Sequence, residues 1–557
     1  MGKPGLFKDR LCGVVAAPTA GEMVRLLRRA LRVTRTVELR LDYLKDHREL
    51  GELLKWLAAH RPGCALRKRM HVFTPGRLRQ LLSPQKVAVQ ERMSVPPWLR
   101  RAMAFGADLG SPPRRASAHP VRAILIGTYR RMEAGGRLRD AKFQFPILMV
   151  AAAAGCDWLD LEIEAAQALP ADPLTPVGAP RFIISRHDFR RTPGNLSALL
   201  RRLERSGAHA VKIATQCHSI RDSLRVLRLG RNRRNVIAVP MGEAGLPARV
   251  LALRHGSALA YAAVGEKTAP GQLTLEEMRH LYRADRLDRR TRVYGLVGDP
   301  VAHSLSPVLH NSGFIARRIN AVYLPFRVKE LRDFLAAIEP LGIAGFSVTL
   351  PHKVAILRHL DDCDPLAARI GAVNTVVVRG PGQLYGYNTD YVGVLRALDR
   401  RVALRGSRVL VYGAGGAARA VAFALAQGGA VVAVCARRME QAERLARAVG
   451  GEAIARPRLR REFFDALVQC TPVGMHPGAA VSPLRAEELN CRVVMDLIYR
   501  PRKTRLLELA ERRGIATVSG VEMFVAQGAA QWQIWTGLRA PEARMRAAVI
   551  AALKRQG

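Results

Sequence analysis

Short apolar runs alternate with amphipathic stretches along the first half of this chain, and that alternation restricts its fold more than any other feature. The strand-like runs are 11–16, 37–41, 123–128, 158–163, 182–185, 210–214, 236–240 and 259–263. Segments with helical spacing, such as 194–206 and 219–229, lie between them. Parallel strands need a crossover connection, usually a helix, where antiparallel ones need only a turn. Eight such repeats predict an α/β fold with a closed parallel (β/α)8, or TIM, barrel, in which chemistry sits at the C-terminal ends of the strands. Residues 61–121 break the pattern. They interrupt the second unit, are basic, and carry Pro96-Pro97 and Pro112-Pro113, so they read as an insertion.

A net charge of +43 over 557 residues raises the question of a polyanionic partner. The arginines are spread over nearly every helix-like segment, without interleaved aromatics or a reader motif. Small anionic substrates explain them as well, so no nucleic-acid partner is expected. Eight cysteines form no CxxC pair and no His/Cys cluster at zinc spacing, so no metal is expected. No apolar run reaches the length of a membrane span, and the first residues lack the apolar stretch of a signal peptide. Reduced, buried thiols then suggest a cytoplasmic protein.

A charged stretch at 283–292 marks a boundary. The second half restarts with a strand at 293–297, and βαβ patterning runs to about 398. Another strand, 408–412, leads through Gly413-Ala414-Gly415-Gly416-Ala417-Ala418 into a helix-like run. A strand, a glycine turn and a helix form the dinucleotide fingerprint of a Rossmann domain, in which the pyrophosphate approaches the helix N-terminus. The next strand ends at Arg437-Arg438, where an NAD enzyme would carry an acid. Two arginines favour the 2′-phosphate of NADP, although arginines at a helix start are also ordinary surface charges. Two helix-like segments, 521–537 and 541–553, close the chain.

The chemistry of the first half centres on Val211-Lys212-Ile213-Ala214. Strand alternation puts Lys212 on the face opposite Val211 and Ile213. Burying an ammonium is costly, and a neutral amine is the species that attacks a ketone to form an imine. A strand-end lysine reaching solvent is the plain alternative. Ser185-Arg186-His187 ends the preceding run. Together with Val37-Glu38-Leu39-Arg40-Leu41-Asp42-Tyr43, Thr128-Tyr129-Arg130, Met241 to Arg249 and Thr268-Ala269-Pro270-Gly271-Gln272, this half resembles type I 3-dehydroquinate dehydratase. The resemblance implies that Lys212 forms an imine with 3-dehydroquinate and that His187 is the general acid and base. It further implies that Arg249 holds the substrate carboxylate, that Glu38, Arg40 and Arg130 line the site, and that Thr268 and Gln272 belong to its closing loop. Glu38, Arg40 and Asp42 also read as an interior salt-bridge network. Ala134-Gly135-Gly136 departs from the family's Glu-Gly-Gly, with Glu133 one place early.

In the second half, Ser304 and Ser306 stand just before Pro307 at a helix start, a cradle suited to a carboxylate. N-capping alone would need only one serine. Lys353 and Asp390, on separate loops, can move a proton to or from a hydroxyl. These motifs, with Gly371-Ala372-Val373-Asn374-Thr375, Thr471 to Met475, Asp496 to Tyr499 and Glu522 to Gln531, resemble shikimate dehydrogenase. The likeness implies Ser304 and Ser306 on the substrate carboxylate. Thr349, Asn374, Asp390 and Gln527 would lie on its hydroxyls and Tyr499 nearby, with Met475 beside the cofactor NADP(H). The organisation expected is a dehydratase barrel over 1–288, a substrate-binding domain over 291–400, a Rossmann domain over 401–520, and helices over 521–557 returning to the substrate domain. The product of the first reaction is the substrate of the second, which points to one bifunctional enzyme acting on 3-dehydroquinate and 3-dehydroshikimate. Two readings stay beside it: a shikimate or quinate dehydrogenase carrying an inactive barrel, and a basic nucleic-acid binder.

Overall fold

The computed structural model describes residues 6–7, 9–61, 123–130, 144–167, 180–267, 271–380, 382–399 and 401–556. Nearly all of the 61–121 insertion, Ala134-Gly135-Gly136 and Thr268 lie outside the described residues. The chain divides into two compact units, Met1–Arg290 and Thr291–Gly557.

The strands of the first unit are β1 (Leu11–Val15), β2 (Thr36–Arg40), β3 (Ile124–Thr128), β4 (Trp158–Glu162), β5 (Arg181–Asp188), β6 (Ala210–Gln216), β7 (Val236–Met241) and β8 (Ala260–Ala263). The strands pair in parallel, and β1 bonds both β2 and β8. Strands buried on both faces read as continuous apolar runs, which is why the sequence shows them. Val211 and Ile213 are fully buried under the helices, and Lys212, on the other face, is 2% exposed. The expected closure is nearly complete. At the β7–β8 seam no ladder forms; the Ala258 N–H donates to the Val236 carbonyl (2.8 Å) and the Ala238 N–H to Ser257 Oγ (3.1 Å). The four residues of β8 all pair with β1 on the other side. Side-chain caps start the surrounding helices: Asp46 for His47–His60, Asn195 for Leu196–Glu204 and Ser219 for Ile220–Arg228.

The second unit holds two six-stranded sheets. One contains β9 (Arg292–Gly298), β10 (Ala321–Arg327), β11 (Ile343–Val348), β12 (Asp362–Cys363), β13 (Thr375–Gly380) and β14 (Gln383–Tyr387), ordered β10-β9-β11-β13-β14-β12. The βαβ pattern expected to run to 398 stops at β13. That strand pairs antiparallel with β11 and β14, because the tight connection between Gly380 and Gln383 leaves no room for a crossover helix. The other sheet is parallel: β15 (Arg408–Tyr412), β16 (Val431–Cys435), β17 (Glu452–Ala453), β18 (Phe464–Gln469), β19 (Cys491–Asp496) and β20 (Ala516–Val518), ordered β17-β16-β15-β18-β19-β20. The order reverses between β15 and β18, where such sheets open their binding crevice.

Helix Asp390–Leu398 leads from the first of these sheets toward the second, and helix Gly520–Thr536 returns. The two helices pack at Gly393, where a Cβ would come within 2.9 Å of Met523 Cγ. The returning helix is fastened to the first sheet by Trp535, whose indole N–H donates to the Val376 carbonyl at 3.0 Å.

Candidate active sites

Interior side chains of the barrel meet across it. Lys212 on β6 reaches Glu38 on β2, Nζ to Oε2 3.2 Å, and hydrogen-bonds Asp160 on β4. Arg130, just past β3, lies 3.3 Å from Asp160 and 3.6 Å from Glu38, and its guanidinium contacts His187 Nε2. Every buried charge here is thus paired, as burial demands. Lys212 has the burial its strand position implied, but it sits between two carboxylates rather than in apolar isolation. Its Nζ also lies over the Tyr261 ring, 4.3 Å from the centroid.

His187 is the penultimate residue of β5 rather than a residue beyond it. Burial, with the cations Arg130 and Lys212 beside it, holds its pKa well below 6.5. The imidazole is therefore neutral at pH 7 and ready to accept a proton. Asp42, in the turn after β2, grips Arg40 with two bonds of 2.9 and 2.8 Å and so orients it. Arg249, in helix Leu246–Leu251, donates from Nε to the Pro240 carbonyl (2.6 Å) and from Nη1 to the Gly271 carbonyl (3.0 Å). Burial pushes its pKa down to about 10, so it stays a cation at neutral pH. Glu38, Arg40, Arg130, His187, Lys212, Arg249 and Gln272 all line one cavity of about 140 Å³. Sequence reasoning missed Asp160 and Tyr261. The acid at 160 and its neighbour Glu162, two apart in an otherwise apolar strand, were the available signal.

In the second unit, Lys353 Nζ donates to Asp390 Oδ2 at 2.6 Å, and Asn374 Nδ2 donates to Asp390 Oδ1 at 2.8 Å. Asp390 is 7% exposed and opens its helix. Helix Ser306–Ala316 starts at Ser306 itself, which puts Pro307 in the second helical position. Ser304 Oγ donates to Ser306 Oγ (3.1 Å) and accepts the Ser306 N–H (3.2 Å). Tyr499 lies beside Ser304 and stacks on Phe524, centroids 4.6 Å apart. The turn that carries Tyr499 is shaped by Asp496, which accepts from the Ile498 N–H (3.0 Å) and the Thr504 hydroxyl (2.7 Å); burial pushes its pKa up to about 6. Thr349 follows β11 and packs on Gly298, where a Cβ would meet Thr349 Cγ2 at 2.3 Å. Gln527 Nε2 donates to the Phe524 carbonyl at 2.9 Å. A further support ends the Glu522 to Gln531 motif, which had no role assigned at that position. Buried Gln531 donates to the Asn374 carbonyl (3.2 Å) and to Thr375 (3.0 Å), and accepts from Ser347 (2.9 Å).

Gly413, just past β15, has φ +123°, a conformation that only glycine adopts easily. A Cβ at Gly415 or Gly416 would meet nothing within 4 Å, so the space over the N-terminus of helix Gly416–Gln427 admits a phosphate group. Ala417 is half-buried there. Ala418 is fully buried in the core of this sheet, where its small side chain lets the helix approach the strands closely. Arg437 and Arg438 are exposed between β16 and helix Met439–Val449, and Met475 is 50% exposed. A larger cleft of about 840 Å³, lined by Arg401, Arg502, Lys503 and Glu511 among others, contains none of these residues. Among the described residues, no His/Cys/Asp/Glu group could hold a metal, and no helix is long and apolar enough to cross a membrane.

Fold and geometry define a class: a parallel α/β barrel with a buried lysine at its centre, joined to a two-sheet unit that pairs a lysine–aspartate couple with a dinucleotide-type turn. The type I 3-dehydroquinase family model matches residues 112–289. The shikimate dehydrogenase substrate-binding domain matches 296–376, and the shikimate 5′-dehydrogenase C-terminal domain matches 520–550. A chloroplastic bifunctional 3-dehydroquinate dehydratase/shikimate dehydrogenase of Arabidopsis thaliana is 37% identical over 442 residues, covering 74% of this chain and 73% of that protein. A shikimate dehydrogenase (NADP(+)) of Thermococcus kodakarensis is 45% identical over 47% of this chain and 97% of its own length. A crystal structure of shikimate 5-dehydrogenase from Thermus thermophilus with NADP(H) and shikimate is 38% identical over 47% of this chain and 99% of that one, with a TM-score of 0.44. The chain belongs to the bifunctional 3-dehydroquinate dehydratase/shikimate dehydrogenase family.

Proposed function

We infer that this chain dehydrates 3-dehydroquinate to 3-dehydroshikimate through an imine on Lys212, and then reduces 3-dehydroshikimate to shikimate with NADPH. In the barrel, the Lys212 amine attacks the substrate ketone, and loss of water leaves the imine. The imine withdraws electrons from the adjacent C–H bond, so neutral His187 can take that proton and pass one to the departing hydroxyl. Arg249 holds the carboxylate. Glu38, Arg40 and Arg130 line the pocket, and Gln272, with Thr268 outside the described residues, borders it. The observation that carries this reading is a buried lysine amine and a neutral imidazole in one cavity, bridged through Arg130 and Asp160.

In the second unit, Ser304 and Ser306 hold the substrate carboxylate with Tyr499 nearby, while Thr349, Asn374, Asp390 and Gln527 hold its hydroxyls. Lys353 delivers a proton to the carbonyl oxygen as it gains charge, and Asp390 keeps the ammonium in place. Gly413, Gly415, Gly416, Ala417, Arg437, Arg438 and Met475 would hold NADPH, which supplies a hydride when bound. The domain boundaries we assign are 1–288, 291–400, 401–520 and 521–557. We assign the cytoplasm as compartment on the free state of the seven described cysteines.

The test supplies 3-dehydroquinate and NADPH to the purified chain and looks for shikimate. Lys212→Ala should then need 3-dehydroshikimate instead. Absence of a borohydride-trapped adduct on Lys212 would favour a reductase carrying an inactive barrel.

A further inference from the structure

Asp160 has no task in the steps above, yet it touches the reacting atom. Its Oδ2 hydrogen-bonds Lys212 Nζ and lies 3.3 Å from Arg130 Nη2, and the residue is 2% exposed. Imine formation moves protons between nitrogen and oxygen. An ammonium is not nucleophilic, so Lys212 must shed a proton before it attacks, and the carbinolamine hydroxyl leaves only as water. In solution, water carries these protons. Lys212 is 2% exposed and its Nζ is bonded to carboxylates, so a neighbouring side chain is placed to carry them.

Resting on the dehydratase reading, we propose that Asp160 is the acid–base group of imine formation, separate from His187, which serves the C–H elimination. Asp160 takes a proton from the Lys212 ammonium, and the freed amine attacks the ketone carbon. Asp160 returns that proton to the resulting alkoxide, removes a second proton from the nitrogen, and gives it to the hydroxyl as the C–O bond breaks. Ammonium plus ketone thus become protonated imine plus water, and Asp160 ends as the carboxylate it was. The geometry suits one oxygen atom doing both transfers, since the carbinolamine oxygen is bonded to the carbon that Nζ has joined. Glu38, 3.2 Å from Nζ, keeps the nitrogen paired while Asp160 holds a proton. Arg130 fixes the orientation of the Asp160 carboxylate from its other side. Burial raises the pKa of this carboxyl, but Lys212 and Arg130 outweigh it and leave the acid stronger than usual.

The experiment mixes the full chain with 3-dehydroquinate, quenches with borohydride at increasing times, and counts the Lys212 adduct by intact mass. Asp160→Asn should form adduct at least tenfold more slowly than the native chain, with turnover falling to the same rate. Asp160→Glu should recover part of it. Reduction of 3-dehydroshikimate by the same preparations reports that the remainder of the chain is intact. Adduct formation at the native rate in Asp160→Asn overturns the proposal. So does equal loss in the Asn and Glu variants, which would mean placement alone. No adduct in the native chain would instead sink the dehydratase reading itself.

Discussion

Replacing Lys212 with methionine keeps the side chain's length and removes its charge, which leaves Glu38 and Asp160 buried with Arg130 as their shared cation. Removing one partner of a buried ion pair costs about 3–5 kcal/mol. Arg130 stays 3.3 Å from one carboxylate and 3.6 Å from the other, and methionine opens little cavity, so the lower end, about 3 kcal/mol, applies here. For a domain of this size that lowers the barrel's melting point by about 6–12 °C. The pH dependence has a definite sign. Burial raises the Asp160 pKa, but Lys212 and Arg130 bring it below 3.8 in the folded barrel. A lowered carboxyl pKa stabilises above the unfolded value and is lost as pH falls through the folded one. The gap between native and variant chains should be full at neutral pH and narrow as pH drops to and below about 3.8. Calorimetry of the full chain with and without NADPH tests this. The nucleotide raises the transition of the unit that binds it, so the unmoved transition belongs to the barrel. An unchanged or raised barrel transition in Lys212→Met would refute the reasoning, because Arg130 alone would then satisfy both acids.

Three further outcomes are expected. Asp390→Asn keeps the shape of the lysine–acid couple but not its charge, and should lower reduction of 3-dehydroshikimate by about 10²–10⁴-fold while dehydration is untouched, as initial rates of the two half-reactions will show. Arg437→Ala with Arg438→Ala should raise the KM for NADPH by tenfold or more and change that for NADH little, since a charged hydrogen bond to phosphate contributes about 1.5–3 kcal/mol; equal losses with both nucleotides would remove these arginines from the 2′-phosphate. Because burial and Arg130 keep His187 neutral well below pH 6.5, kcat/KM for dehydration should show no protonation of a base between pH 7.5 and 6.5, and an acid limb centred near 6.5 would contradict that environment.

The eight barrel strands are legible because a strand buried on both faces cannot afford polar residues except where the interior uses them. Those exceptions, Glu38, Lys212 and His187, were equally visible as polar breaks in apolar runs, and the cavity gathers them. Asp160 was of the same kind, but Trp158, Leu159 and Leu161 around it made the run look purely structural. The open β7–β8 seam could not be read, since strand composition does not show which neighbours form a ladder. In the second unit, the hairpin of β13 and β14 was hidden because a half-covered strand and a crossover element share the same apolar content. The burial of Ala418 could not be read, because a pattern in one dimension does not separate contact with a ligand from contact with the core. Gln531 stood in the Glu522 to Gln531 motif, but its supporting role could not be read because its partners Asn374, Thr375 and Ser347 lie far away in sequence.

The seam at Gly393 bears on how the second unit is joined. The polypeptide crosses from one sheet to the other along helix Asp390–Leu398 and comes back along helix Gly520–Thr536, and these two helices lie pressed together. Asp390 and Gln527 ride on them. On the function proposed above, the acid and the amide that would hold the substrate hydroxyls are therefore carried by the same two helices that connect the sheets.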